Sequence, residues 1–516
     1  MEKKKRVMII VVTVLVLTIG VTFAYFMART GAGASANANI TADTVDDLKF
    51  SVSKDSLSLS INQFNFASGS GNLSDSITAT ASLKANSTKK TATGNYYVYF
   101  QIESNDYIYT TEDKKPEIVL TVTGPNGEIT SLDNLSYVTA TNADGTEIKG
   151  FDITELGASI IKVADSFEIS SSSSTNYTNQ DWTFTVTFIN LDTNQADNEG
   201  KTLTGKVLIQ KDVVPYHETC NDDSIACHTA KLYTGIQGEK ELYYHNSTLE
   251  NGAEDNSYRY AGANPNNYVC FGSDDTTCPT DNLYRIIGVF DGKIKLIKYD
   301  CANSNLLGTD GDYSTSTYSK SGYPTYKGKL TTLNRYYWNY KNDTSINNGY
   351  GSNEWSTSLL NITNLNTNYL NNIGTTWSNM IENTKWKVSG YTSFSVTPSI
   401  FYAGEITNAT KIYTSKVGLM YVSDYGFAAD SSAWTTTLAT YGSSSVKTTN
   451  WMYMGIYEWT MSPVTNKNYT FMLENSGKLL YNNTQGAYVI RPVIYLKASV
   501  KIAGGDGSID SPIRLT

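Results

Sequence analysis

The chain has 516 residues, of which 40% are hydrophobic and 17% charged, with a formal net charge of −9. That balance describes a folded chain of roughly two to four domains rather than a disordered one, and an acidic chain without an internal basic cluster excludes nucleic acid as an expected partner. Three histidines leave little room for histidine-based catalysis or metal binding, whereas 38 tyrosines suit strands and binding surfaces.

Residues 1–30 open on Met1-Glu2-Lys3-Lys4-Lys5-Arg6 and then carry no charge from Val7 to Ala28. As a helix at about 1.5 Å per residue this stretch spans roughly 33 Å, enough to cross a hydrocarbon core of about 30 Å. The basic flank keeps Met1 in the cytoplasm and exports the chain beyond Arg29. The segment is a signal peptide or an uncleaved transmembrane anchor. Thr22-Phe23-Ala24-Tyr25-Phe26 resembles the Thr-Phe-Ala-x-Phe end of signal peptides in the TasA/camelysin family of Gram-positive biofilm-matrix proteins, although Met27-Ala28 replace the polar residue usual after that motif. The resemblance implies a cut near Ala24. Either reading places the chain on the extracellular face of the membrane or in the medium of a Gram-positive-type bacterium, with a membrane contact only if the helix stays attached.

Residues 31–39, Gly31-Ala32-Gly33-Ala34-Ser35-Ala36-Asn37-Ala38-Asn39, read as a flexible linker. Residues 40–213 read as a β-sandwich. Trp182-Thr183-Phe184-Thr185-Val186-Thr187-Phe188 alternates strictly, the mark of a half-buried antiparallel strand. Its expected partner is Gly205 to Ile209, reached through a polar turn from Asp192 to Gly200. Tyr96 to Ile102 and Glu117 to Thr123 supply two more strands, the latter ending in Gly124-Pro125-Asn126-Gly127. The strand rhythm behind the signal motif is similar to the TasA/camelysin domain, which implies a jelly-roll or Ig-like sandwich. Asp192, Asn194, Asp197 and Asn198 could form a calcium loop, but their spacing fits no EF-hand and a polar hairpin tip explains them.

Residues 214–231 form a connector containing a cysteine pair, and residues 232–516 a second domain: seven of the eight tryptophans lie between Trp338 and Trp459. A short helix is expected around Ala226 to Tyr233. The runs LYRIIGVF and KIKLIKYD flank Asp291-Gly292, the signature of a type I′ hairpin. Two amphipathic helices come next, one through Trp355, Leu359, Ile362 and Tyr369, the other through Trp377, Met380 and Ile381. The segments KVGLMYVSDYGFA, YEWTMSP, YTFMLENSGKLLY and YVIRPVIYLK are expected as strands and loops. Tyr284-Arg285-Ile286-Ile287-Gly288, Tyr421-Val422-Ser423-Asp424-Tyr425-Gly426, Glu458-Trp459-Thr460-Met461-Ser462-Pro463, Arg491-Pro492-Val493 and Gly504-Gly505-Asp506-Gly507-Ser508 together resemble an uncharacterised branch of C-type-lectin-like domains in exported Gram-positive proteins. The resemblance implies a mainly β chain with a smaller α+β part, and no particular activity.

His217, Cys220, Cys227 and His228 could ligate zinc, but an exported chain favours disulfides Cys220–Cys227 and Cys270–Cys278, leaving Cys301 as a buried thiol. Glu458-Trp459-Thr460 is similar to a segment of formylglycine-generating enzymes, whose late cysteine pair is missing here, so Trp459 reads as a core residue beside Arg491-Pro492. The strings with which calcium-dependent lectins hold sugar do not occur. Asp310-Gly311-Asp312 and Asp506-Gly507 could hold calcium, though turn formation suffices. No catalytic set, cofactor or metal is expected. From Asp310 to Tyr350 the chain is dense in Tyr, Asn, Ser and Gly, the mix that binding loops use, and Tyr323, Tyr326, Tyr336, Tyr337 and Trp338 are the candidate ligand-binding rings. The expected function is a non-enzymatic binding or adhesion head on a sandwich stalk, with a glycan or protein ligand held by aromatics rather than by charge. The alternative is a structural subunit of an extracellular matrix or fibre that self-associates through the sandwich. An enzyme of unknown class is third.

Overall fold

The computed structural model describes residues 47–62, 72–85, 91–133, 135–342, 351–465 and 467–516, so the signal or anchor segment and the linker lie outside the described residues. Among the described residues no helix is long and apolar enough to cross a membrane. The fold is mainly β, built of several antiparallel sheets. The chain divides into two compact units, Met1–Asn221 and Asp222–Thr516, a boundary inside the expected connector.

The first unit holds β1 (Asp47–Val52), β2 (Leu57–Ser60), β3 (Leu73–Lys84), β4 (Ala92–Asn105), β5 (Ile118–Gly124), β6 (Gly127–Glu128), β7 (Tyr137–Thr141), β8 (Glu147–Asp152), β9 (Ser159–Ser171), β10 (Thr178–Phe188) and β11 (Thr202–Gln210). One sheet runs β1-β3-β10-β5-β8-β7, with β6 beside β5, and the other β2-β11-β4-β9. Both contribute to one core, in which Phe100 of β4 stacks on Phe184 of β10 with centroids 5.6 Å apart. The expected alternation holds: Trp182, Phe184, Val186 and Phe188 are buried. Each contributes roughly 1.5–3 kcal/mol by leaving water. Thr183 and Thr185 meet the hydroxyls of Thr78 and Ser76 on the neighbouring strand, at 3.1 and 2.8 Å.

The expected pairing of this strand with Gly205 to Ile209 is corrected. β10 lies between β3 and β5, whereas β11 lies between β2 and β4 in the other sheet. The polar connection does not close a hairpin because its side chains are tied elsewhere. Asn198 both accepts from and donates to the backbone of Ile108, at 3.0 and 2.9 Å, and Gln195 donates to the buried carboxylate of Glu117. Gly124 ends β5 where a Cβ would stand 2.6 Å from the Trp182 ring, so the indole fixes glycine there.

In the second unit a sheet runs Leu242–Tyr244, Tyr258–Tyr260, Leu283–Phe290, Lys293–Lys298, Val493–Tyr495 and Val417–Gly418, with Tyr268–Cys270 beside Leu283–Phe290. Asp291 and Gly292 have φ of 48° and 70°, the backbone of the expected I′ turn. The helix Ile225–Lys231 starts on Ser224, whose hydroxyl accepts from Cys227 N. Val422–Phe427, expected as strand or loop, is a helix: Asp424 reaches back to accept from Tyr421 N at 2.8 Å, and that local cap outweighs the β-prone residues. The expected stripe through Trp355, Leu359, Ile362 and Tyr369 also needs correction. Leu360–Tyr369 winds as a π-helix, so Ile362 is 42% exposed while Asn361, Asn364 and Leu365 are buried. The wider turn brings a different face inward, one whose asparagines bond backbone carbonyls such as Leu307 O, 2.8 Å from Asn364 Nδ2. Trp377 is buried in the helix Thr375–Met380.

Candidate functional site

The five candidate rings fall into two groups. Tyr326, Tyr336 and Trp338 are 5%, 0% and 0% exposed, which removes them as ligand-facing rings. Tyr323 and Tyr337 are half-buried. Along the strand Thr332–Tyr337 the buried side chains are Leu333 and Tyr336, three apart and so on opposite faces; Trp338 follows Tyr336 on one face, while Arg335 and Tyr337, on the face of Leu333, stay half-buried. Tyr336 donates to Gly308 O at 2.9 Å and Trp338 Nε1 to Thr460 O at 3.0 Å, so both spend their polar atoms inside. Tyr326 donates to Asp300, which also accepts from Leu330 N at 2.9 Å and Cys301 N at 2.7 Å, pinning the loop after Tyr323. Residues 343–350 of the tyrosine-rich stretch lie outside the described residues.

Above these buried rings stands a partly exposed set of which the sequence pattern marked only Tyr323. Tyr313–Ser319, Thr332–Tyr337 and Ala487–Tyr488 form a three-stranded sheet. Tyr318 and Tyr488 of this sheet, Tyr323 from the connection between its first two strands and the neighbouring Tyr457 give four half-buried rings in continuous contact. Tyr318 lies 5.0 Å from Tyr323, Tyr323 6.4 Å from Tyr457, and Tyr457 5.6 Å from Tyr488 in a stacked pair. Tyr318 Oη closes the circuit with a hydrogen bond to Ala487 O at 3.4 Å. Buried Trp459 supports it from below, 4.6 Å from Tyr488 and donating through Nε1 to Tyr336 O at 3.0 Å. Arg335 lies along the edge, its guanidinium carbon 4.3 Å from the Tyr318 centroid. Burial first, then neighbouring rings, pushes the Tyr323 hydroxyl up to about 12, and burial raises those of Tyr457 and Tyr488, so all three stay protonated near neutral pH. The surface thus offers flat apolar faces rimmed by neutral hydroxyl donors. No pattern in the sequence marked Arg335, and Tyr457 and Tyr488 arrive from distant segments.

A second constellation is enclosed in the same unit. Arg259 donates to Asp255 at 2.5 Å, Lys295 donates to Asp424 at 2.5 Å, and Arg259 and Asp424 approach to 3.9 Å. Rings surround both cations: Phe290 lies 4.6 Å from the Arg259 guanidinium and Tyr421 4.5 Å from Lys295 Nζ. Burial raises the Asp255 carboxyl, but the Arg259 guanidinium and then His245 outweigh it and hold the group at about 2. Glu405 is pushed up to about 6 by burial, against the opposing hydrogen bonds from Ser423 and Ser462. Glu458 and Arg491 pair at 2.6 Å beside Trp459, which is the expected core tryptophan. Such buried pairs stabilise only as complete sets, because removing one partner strands the other's charge.

The cysteines match the disulfide reading. Cys270 and Cys278 are bonded, Cys220 and Cys227 are disulfide-bonded, and Cys301 is free and buried. Oxidation removes the two thiolates that a zinc site at His217, Cys220, Cys227 and His228 would need. The acidic glycine turns spend their carboxylates on the backbone: Asp312 accepts from Lys341 N at 2.9 Å, and Asp506 from Ser508 N at 2.9 Å. Two disulfides fit folding in an oxidising compartment.

No protein-family model matches the sequence, and no curated protein matches it.

Proposed function

We propose that the chain is an exported, non-catalytic binding protein of a Gram-positive-type cell surface, whose second unit is a C-type-lectin-like head that binds a glycan. One observation carries this reading: four half-buried tyrosines, Tyr318, Tyr323, Tyr457 and Tyr488, form a continuous partly exposed surface seated on buried Trp459. Sugars present apolar C–H faces and a rim of hydroxyls, and tyrosines answer both with ring faces and phenolic hydroxyls. The disulfides and the export signal motif support the location. In this reading the first unit, the β-sandwich, serves as a stalk.

The test is a glycan-array screen of the full exported protein, then single alanine variants at the four tyrosines against a selected glycan. Loss of binding in folded Tyr323→Ala or Tyr457→Ala protein is expected. Unchanged affinity in all four folded variants overturns the reading.

A further inference from the structure

We infer that the glycan bound at this surface is acidic, and that Arg335 receives its carboxylate: the surface suits a hexuronate-containing polysaccharide. The inference rests on the binding reading above and adds the chemical class of the ligand.

Most arginines of the described residues commit their terminal nitrogens inside the protein. Arg259 gives an Nη to Asp255, Arg285 to Pro265 O, Arg491 to Glu458 and Met452 O, and Arg514 to Thr276 O. Arg335 differs. Its Nε donates to Ser316 O at 3.1 Å and its guanidinium carbon lies over the Tyr318 ring, 4.3 Å from the centroid, yet among the described residues neither Nη makes a hydrogen bond or ion pair. The guanidinium is therefore held at its base and stacked on one face, with its outer fork unoccupied. Little side-chain entropy remains to be lost when a ligand arrives.

Among the described residues no carboxylate forms an ion pair with that positive charge. Glu474, the acid that acts on neighbouring Tyr457, is paired with Lys478 at 3.2 Å. Arg335 is the cation acting on both Tyr323 and Tyr488, and among the described residues it forms no ion pair. In a chain of net charge −9, a guanidinium without an ion pair fixed among half-buried rings is a specific feature rather than a background one.

A carboxylate matches the planar fork of a guanidinium with two parallel hydrogen bonds, and one arginine neutralises one carboxylate. The anion must also lie close to a flat apolar face, because Tyr318 stacks beneath the guanidinium and Tyr323 lies 5.0 Å beyond it. A hexuronic acid carries its carboxylate directly on the sugar ring, so one residue can place its anion on Arg335 and its C–H face on the adjoining tyrosines. A backbone phosphodiester separates its charge from the sugar face and fits this spacing less well.

The experiment titrates full-length exported protein with polygalacturonate, its fully methyl-esterified form, neutral dextran and a polyglycerol phosphate. Polygalacturonate should bind at least about tenfold more tightly than its ester, the scale of a hydrogen-bonded charge contact. Arg335→Gln should remove that preference, so that acid and ester bind equally, and Arg335→Lys should restore part of it, since it keeps the charge without the fork. A melting curve on each variant verifies folding. Equal binding of acid and ester, or a preference that survives Arg335→Gln, overturns the inference, while tyrosine-dependent binding of the neutral polymers would leave the glycan-binding reading standing. Arg335-dependent binding of polyglycerol phosphate without polygalacturonate overturns the hexuronate assignment. Binding of none of the four polymers overturns the inference, and the array then decides the wider reading separately.

Discussion

Neighbouring aromatic residues in the second unit have different work, and substitution should separate them. Tyr336 is fully buried under the surface and Tyr457 is half-buried within it. Tyr336→Ala should destabilise the second unit by about 3–5 kcal/mol, measured by urea denaturation, because it leaves a ring-sized cavity. Tyr457→Ala should cost little stability but about 2 kcal/mol of glycan binding, roughly thirtyfold in affinity. Two carboxylates, buried Glu405 and part-buried Asp255, give opposite pH signatures. Asp255, lowered from 3.8 to about 2, contributes stability that is present above 3.8 and lost as pH falls through 2. Its side chain is 17% exposed, so the shift corresponds to about 2 kcal/mol. Glu405, raised from 4.5 to about 6, contributes stability that is fully present below 4.5 and lost as pH rises through 6, again about 2 kcal/mol. Urea midpoints read by tryptophan fluorescence across this range should fall at both ends, and Glu405→Gln should flatten the loss on the neutral side.

At the scale of elements, legibility tracked the range of the determining interaction. The strand Trp182–Phe188 was readable because alternation is written into adjacent residues, and the Asp291-Gly292 turn because two positive φ values demand those residue types. The partner of that strand was not readable. Sheet membership depended on Gln195 and Asn198 reaching Glu117 and Ile108, contacts that no local pattern announces. The π-winding of Leu360–Tyr369 was likewise hidden, since period counting assumes an α-helix. The candidate surface was half legible: the tyrosine-rich stretch marked the region, but Tyr457 and Tyr488 join it only through the fold. Two glycines test the local rules. Gly124→Ala should destabilise the first unit by about 1–3 kcal/mol through collision with Trp182, and Gly292→Ala should cost the second unit about 1 kcal/mol for its φ of 70°. Denaturation midpoints read both.

For the molecule as a whole, oxidation and the small core beneath the tyrosines set how tightly the second unit stays closed. The Cys270–Cys278 bridge joins residues eight apart, and loop-closure entropy assigns it about 2.5 kcal/mol. A Cys270→Ser/Cys278→Ser variant should lose about that amount in denaturation, while reductant should no longer affect this loop. Cys301 lies in the same core as Tyr326 and Leu333, with Tyr318 and Tyr323 packed against it. Its thiol is wholly buried, and burial first, then Asp300, pushes it well above the ordinary value. An alkylating reagent therefore reacts with Cys301 only during excursions that open this core, and lifting of Tyr318 and Tyr323 is the route that a ligand on their surface would block. A glycan that holds Tyr318 and Tyr323 closes the gate: at a hundredfold excess over its Kd, labelling should slow by about a hundredfold. The chain thus carries a chemical clock under its proposed binding face, one that reports occupancy without any modification of the face itself.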